Sequence, residues 1–288
     1  MKVLSCSDLH GEVRLYGELL ELSESTDADW ILLGGDLLPS SISEGGYDEL
    51  LRRQKRFVKD FLLPLFRKML QGKKRMIGLI PGNWDLGYAY LFREAMEKMV
   101  DLNQRLYRSE RGYEILGYGF VPPTPFRPKE FEKMDDLDMP WPPQKNPSYI
   151  IGEEGTEGLI PVDPFSFLRQ RGTIAEDLAA LPLPLRPERT IFLMHAPPFN
   201  TGLDLIAGNH HVGSRSIRSF IERTQPRVSL HGHIHEAPQL SGQYLDRIGK
   251  TPCINPGQFI RKIRGVPKLH AVIFELEDLE GSLQHTCL

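Results

Sequence analysis

Short apolar runs alternate with longer amphipathic stretches through the first third of the chain. Residues 3–6, 30–33 and 76–80 are almost wholly apolar, and each is followed by turn residues. Runs of that length predict buried strands. The segments between them, 12–25 and 47–70, carry apolar residues at helical spacing and predict helices. Strand–helix alternation of this kind implies a layered α/β sheet with crossovers on its faces. The last third returns to the pattern. Residues 190–194, 228–230, 251–254 and 269–276 predict strands, and 214–224 predicts a helix.

The middle is different. Nine prolines fall between residues 120 and 163. Proline fixes φ and removes a donor, so little regular structure is expected there. A stretch that long is expected to act as a lid or binding wall inserted in a single domain covering 1–288. The helical pattern resumes over 163–181.

Composition changes this picture little. Of 288 residues, 40% are hydrophobic and 25% charged, which is ordinary for a globular chain. The net charge of -3 provides no general field toward nucleic acid or an anionic membrane. The basic residues Arg261, Lys262, Arg264 and Lys268 read as a solvated strand face rather than a nucleic-acid contact. Cys6, Cys253 and Cys287 are far apart, which fits a reducing compartment better than a disulfide scaffold. No apolar run reaches the roughly eighteen residues of a membrane span, and the first apolar run is too short for a signal peptide. A cytoplasmic protein is expected.

The chemistry lies where the apolar runs stop. Residues 3–6 run into Ser7-Asp8-Leu9-His10-Gly11, 30–33 into Gly34-Gly35-Asp36, and 76–80 into Pro81-Gly82-Asn83-Trp84-Asp85. Residues 190–194 run into His195, and 228–230 into His231-Gly232-His233-Ile234-His235. In open α/β sheets, ligands gather beyond the carboxyl ends of the strands. Asp8, His10, Asp36, Asn83, His195, His233 and His235 are therefore expected on one rim. Carboxylate, imidazole and amide oxygen together suit Mn, Fe or Zn better than Ca or Cu. Seven ligands are too many for one tetrahedral ion and match two divalent ions that share a carboxylate.

These motifs resemble those of the calcineurin-like metallophosphoesterases. That family's D-x-H, G-D, G-N, lone H and G-H-x-H appear in order as Asp8-Leu9-His10, Gly35-Asp36, Gly82-Asn83, His195 and Gly232-His233-Ile234-His235. The resemblance implies an α/β fold, a four-layer α/β/β/α sandwich of two mixed β-sheets flanked by helices. It also implies that Asp8, His10 and His235 hold one ion, that Asn83, His195 and His233 hold the other, and that Asp36 bridges them. Two such ions acidify water and offset charge on a phosphoryl group under attack. The implied activity is hydrolysis of a phosphodiester or phosphomonoester on a small phosphorylated substrate, with Asp36 and Asn83 in catalytic roles.

One position departs from the family. The residue after the asparagine is usually a histidine thought to protonate the leaving oxygen or contact the phosphate, and here it is Trp84. An indole offers only an N–H donor. General acid catalysis is typically worth about 10²–10⁴-fold. The enzyme is thus expected to favour good leaving groups or to recruit another acid. His210 and His211 are the leading replacements, ahead of Asp85. Ser214 is a possible N-cap, so the loop before it could grip phosphate at a helix N-terminus. Trp84 reads as a stacking platform, and Arg127 as a phosphate contact in the proline-rich wall. The alternative function is a metal-binding scaffold that kept the fold but lost the reaction.

Overall fold

Both faces of the central strands are apolar, and this sets the layering. The protein is described by a computed structural model covering residues 1–94, 96–136, 138, 141–152, 158–258 and 268–287. Its strands in chain order are β1 (Lys2–Cys6), β2 (Trp30–Leu33), β3 (Met76–Leu79), β4 (Met99–Asp101), β5 (Arg105–Arg108), β6 (Glu114–Tyr118), β7 (Ser148–Ile151), β8 (Leu159–Val162), β9 (Thr190–Met194), β10 (Leu205–Ile206), β11 (His210–His211), β12 (Val228–Leu230), β13 (Leu245–Ile248), β14 (Thr251–Ile254), β15 (His270–Glu275) and β16 (Gln284–Cys287). The helices are α1 (Val13–Thr26), α2 (Gly46–Phe57), α3 (Leu63–Leu70), α4 (Pro164–Gln170), α5 (Ile174–Ala180), α6 (Arg215–Thr224), α7 (Ala237–Ser241) and α8 (Leu279–Ser282).

Two six-stranded sheets result, in the orders β16-β15-β1-β2-β3-β4 and β13-β14-β12-β9-β6-β5. In the first, β1 to β4 run parallel, β15 lies antiparallel to β1, and β16 closes the edge antiparallel to β15. In the second, β14, β12, β9 and β6 run parallel between antiparallel edges. Alternate residues of each strand face opposite layers. Val3, Trp30, Leu32 and Phe274 meet Ile191, Leu193, Leu230 and Ile254 between the sheets. Leu4, Ile31, Leu33 and Ile77 face outward onto Leu15, Tyr16 and Leu19 of α1 and Phe66 of α3. Leu116, Phe192 and Met194 face outward onto Ile217, Phe220 and Ile221 of α6. This is the expected four-layer α/β/β/α sandwich. A strand buried on both faces leaves no position along its length for a solvated polar group, so the polar residues collect at its ends.

Several elements differ from expectation. The helix expected over 47–70 is interrupted by a π-helical stretch, Val58–Leu62, between α2 and α3. Pro64 follows it and has no N–H to give the preceding turn, which suits a widened turn at that point. The helix expected over 163–181 is two helices. Gly172 lies in the left-handed region at φ 72, and Thr173 opens α5 with a reciprocal capping box to Glu176. β4, β5 and β6 have no counterpart among the expected strands. β6 nonetheless lies beside β9 in the second sheet.

The proline-rich segment holds more order than its composition implies. β7 and β8 pair antiparallel, and Lys129 and Glu132 form an ion pair that is fully buried. Arg261, Lys262 and Arg264 lie outside the described residues. Among the described residues no helix is long and apolar enough to cross a membrane.

Candidate metal centre

The seven candidate ligands follow the carboxyl ends of five parallel strands. Asp8 and His10 follow β1, Asp36 follows β2 and Asn83 follows β3; His195 follows β9, and His233 and His235 follow β12. Four of them adopt left-handed backbone: Asp8 at φ 59, His10 at 45, Asp36 at 52 and His233 at 66. Non-glycine residues rarely do so, and such strain persists only where the surroundings impose it. Here hydrogen bonds between loops impose it. Asp8 N–H donates to Gly35 O and His10 N–H to Asp36 O, both at 2.9 Å. The motif glycines are needed for close approach. A Cβ on Gly82 would overlap the Asp36 carboxylate, and one on Gly232 would lie 2.5 Å from Asp8 Oδ2.

The side chains form two groups that share one carboxylate. Ligand atoms of Asp8, His10, Asp36 and His235 lie within 4.8 Å of one another, as do those of Asp36, His195 and His233. His10 Nε2 faces His235 Nε2 at 3.1 Å, and His235 Nε2 lies 3.3 Å from Asp8 Oδ1. Asp36 Oδ2 lies 3.7 Å from His10 Nε2 and 3.6 Å from His195 Nε2. Nδ1 of His195 pairs with the carbonyl of Gly34 at 2.7 Å, which turns Nε2 toward Asp36.

The donor set fits divalent cations. Asn83 is fully buried, yet among the described residues neither its Nδ2 nor its Oδ1 has a hydrogen-bond partner, and Nε2 of His195 has none either. A buried polar group left unmatched costs about 1–3 kcal/mol. The Asn83 oxygen and the His195 nitrogen, beside two carboxylates, are potential ligands for a cation.

Electrostatics agree. Burial raises the Asp8 carboxyl, but His235, with His195 and His10, more than reverses this, and the net shift is downward. Burial also raises Asp36, and His195 with His10 brings it down. Burial lowers His10 to about 4 and His233 to about 3, which leaves both imidazoles neutral with lone pairs to offer. Burial lowers His195 as well, but Asp36 and then Asp8 outweigh it and raise it to about 9. A cation must displace that proton to bind.

A cavity of about 620 Å³ opens on Asp36, Asn83, His233 and His235. Its other walls include Trp84, Phe126, Pro122, Pro143, Ile206 and Val212. Trp84 thus lines the same cavity as the ligand cluster. Its backbone N–H donates to Asp36 Oδ1 at 2.8 Å, and its ring lies 5.2 Å from that of Phe126.

Other expected contacts fall elsewhere. Asp85 is fully buried and accepts from the N–H groups of Leu37, Leu38 and Gly82, so it ties the β2 and β3 loops together and does not line the cavity. Arg127 donates to the Pro147 carbonyl and does not line the cavity. Ser214 does cap α6, but the helix N-terminus is already occupied. The Asp135 carboxylate accepts from Ser214 Oγ and from the N–H groups of Arg215 and Ser216, which leaves no place for phosphate. His210 is exposed. His211 pairs with buried Asp204 at 2.7 Å and lines an adjoining cavity of about 310 Å³. Neither histidine lines the cavity over the ligand cluster.

Gln54 and Glu236 escaped the sequence reading, and Asn255 supports the site with them. Gln54 bonds the carbonyl of Trp84 and the N–H of Gly87, fixing the loop after β3. Its sequence signal is a polar side chain on the buried stripe Leu50, Leu51, Gln54 of α2. Asn255 Nδ2 reaches the carbonyls of Leu203, Gly232 and Ile234, which makes the 255–257 turn a brace for the G-H-x-H loop. Glu236 lines the main cavity beside His235 and was not singled out.

Comparison with known proteins agrees with this geometry. A profile described as calcineurin-like phosphoesterase matches residues 1–237. One solved structure aligns at TM-score 0.64 with 14% identity, covering 99% of this chain and 98% of its own. TT1561 of Thermus thermophilus aligns at TM-score 0.53 with 17% identity, again covering 99% and 98%. At such identities the likeness concerns the fold alone. No curated protein matches the sequence significantly. With the profile spanning most of the chain, the protein belongs to the calcineurin-like phosphoesterase family.

Proposed function

We propose that the chain hydrolyses a small phosphodiester or phosphomonoester at two divalent cations, Mn, Fe or Zn. The observation that carries this is the shared carboxylate: Asp36 belongs to both ligand groups, and unpaired Asn83 stands at the same cavity. Asp8, His10 and His235 would hold one ion, and Asn83, His195 and His233 the other. Bound cations would acidify water and offset charge on the phosphoryl oxygens. The protein's own residues do the positioning. Gly34 O fixes the His195 ring, the Trp84 backbone N–H fixes the Asp36 carboxylate, and Asp85 holds the two loops in register.

Trp84 favours substrates whose leaving group departs without a proton. Among the described residues lining the cavity, Glu236 is the one ionisable side chain outside the ligand cluster. The Trp84 exchange also motivates the second reading, a metal-binding scaffold without turnover. Metal analysis followed by assay of bis-p-nitrophenyl phosphate with Mn²⁺ separates the two. Hydrolysis lost in Asp36→Ala and His233→Ala supports the enzyme; bound metal without hydrolysis supports the scaffold. The proposal includes a single domain with residues 120–163 as a wall over the site. It also includes a cytoplasmic location, supported by the free thiols of Cys6, Cys253 and Cys287.

A further inference from the structure

The cavity over the ligand cluster has a polar end and an apolar wall, and the wall carries information about the substrate. Trp84, Phe126, Ile206 and Val212 line it together with five prolines, Pro122, Pro123, Pro125, Pro142 and Pro143. Proline backbone is already fixed, so this wall loses little freedom when a ligand settles on it. Phe126 is 41% exposed and lines the cavity, so its ring is open to a bound ligand.

Charge is distributed just as unevenly. Among the described residues lining the cavity there is no lysine or arginine, and Glu236 adds a negative group. Arg53 and Arg56 line a different cavity beyond His10. Both are engaged there. Arg53 donates to the carbonyl and hydroxyl of Ser41, and Arg56 to Glu49 at 2.7 Å. Among the described residues lining this cavity, no side chain brings a cationic group of Lys or Arg to a substrate, so positive charge there would come from bound cations. It serves the reacting phosphoryl group, and a second anionic group in the cavity would be desolvated without a partner.

We propose that the substrate is a singly charged phosphodiester with an uncharged ring-bearing arm, packed against Trp84 and Phe126. The inference rests on the phosphoesterase reading and narrows it. Exchange of the usual histidine for Trp84 then has a positive role. It removes a proton donor and extends the aromatic surface. An aryl arm suits both changes, because it fills the wall and its phenolate departs readily.

Two measurements on the metal-loaded protein test this separately from turnover. The first is calorimetric binding of diphenyl phosphate, dimethyl phosphate and bis(4-carboxyphenyl) phosphate. Diphenyl phosphate should bind at least about tenfold more tightly than either of the others, a difference of about 1.4 kcal/mol. Trp84→Ala and Phe126→Ala should each reduce that ratio at least about threefold. Phe126 is remote in sequence from the ligand loops, so its variant serves if the Trp84 variant misfolds. The second is the ratio of kcat/KM for bis-p-nitrophenyl phosphate to that for methyl p-nitrophenyl phosphate, which should fall in the same variants. Equal binding of the diphenyl and dimethyl esters, or preference for the carboxylated diester, overturns the proposal even if both substrates are hydrolysed. Selective binding without hydrolysis upholds the pocket assignment and overturns the enzymatic reading instead.

Discussion

Oδ2 of Asp36 lies 3.6 Å from Nε2 of His195, while its Oδ1 accepts from the Trp84 backbone at 2.8 Å. One carboxylate oxygen is thus held by protein and the other is left for the cluster. Asp36→Asn keeps the shape but removes the shared charge. Metal content by mass spectrometry is expected to fall from the proposed two ions per chain toward none. The kcat/KM for bis-p-nitrophenyl phosphate should fall about 10³-fold or more, the scale of losing an electrostatic stabiliser. Retention of both ions would contradict the bridging role.

Asn83 presents the opposite balance between stability and function. Among the described residues its buried amide has no hydrogen-bond partner, so the metal-free protein bears the cost of its desolvation. Asn83→Leu should leave stability in EDTA unchanged or raise it by roughly 0.5–2 kcal/mol in urea denaturation. The same variant should bind less metal and lose turnover. A clear loss of stability in EDTA would mean that the amide has a protein partner.

The Lys129–Glu132 pair lies at 2.8 Å with neither side chain exposed. Both groups also bond Thr124, and so fix the segment that carries Phe126. Glu132→Leu alone strands a buried ammonium and should cost about 3–5 kcal/mol. The double variant with Lys129→Met should recover most of this, as read by denaturation midpoint. If the single change is harmless, the pair does not anchor the wall.

Metal affinity should rise with pH. Asp36 keeps His195 protonated in the metal-free fold up to about 9, above the ordinary histidine value of about 6.5. That raised value stabilises the metal-free protein fully below about 6.5, and the contribution is lost as pH climbs through about 9. A cation competes for the same lone pair, so affinity should gain about tenfold per pH unit for each proton displaced. The melting-temperature gap between Mn²⁺-loaded and EDTA-treated protein should widen from pH 6 to 8. A gap that narrows would refute the assignment of His195 as a ligand.

The ligand positions were readable because strands apolar on both faces can place polar groups only at their ends. Residues 30–33, 190–194, 228–230 and 251–254 coincide with strands of the structure, and the polar clusters behind 30–33, 190–194 and 228–230 converge. The glycines before Asp36, Asn83 and His233 were visible too, though not the collisions that require them. What the loops do internally was not readable. Asn83 and Asp85 are two residues apart, yet one reaches the cavity and the other binds three backbone N–H groups.

The sequence by itself determined the layered fold and the set of polar side chains at the strand ends, because both follow from local apolar spacing. Tertiary structure alone decided which neighbouring polar groups are consumed. Asp135 reaches across 79 residues to close the Ser214 cap, and Asp204 turns His211 to another cavity. It also decided the apolar wall, which joins Trp84, Phe126 and Val212 from three separate loops. Such contacts depend on left-handed turns and distant partners, and no short-range pattern encodes them.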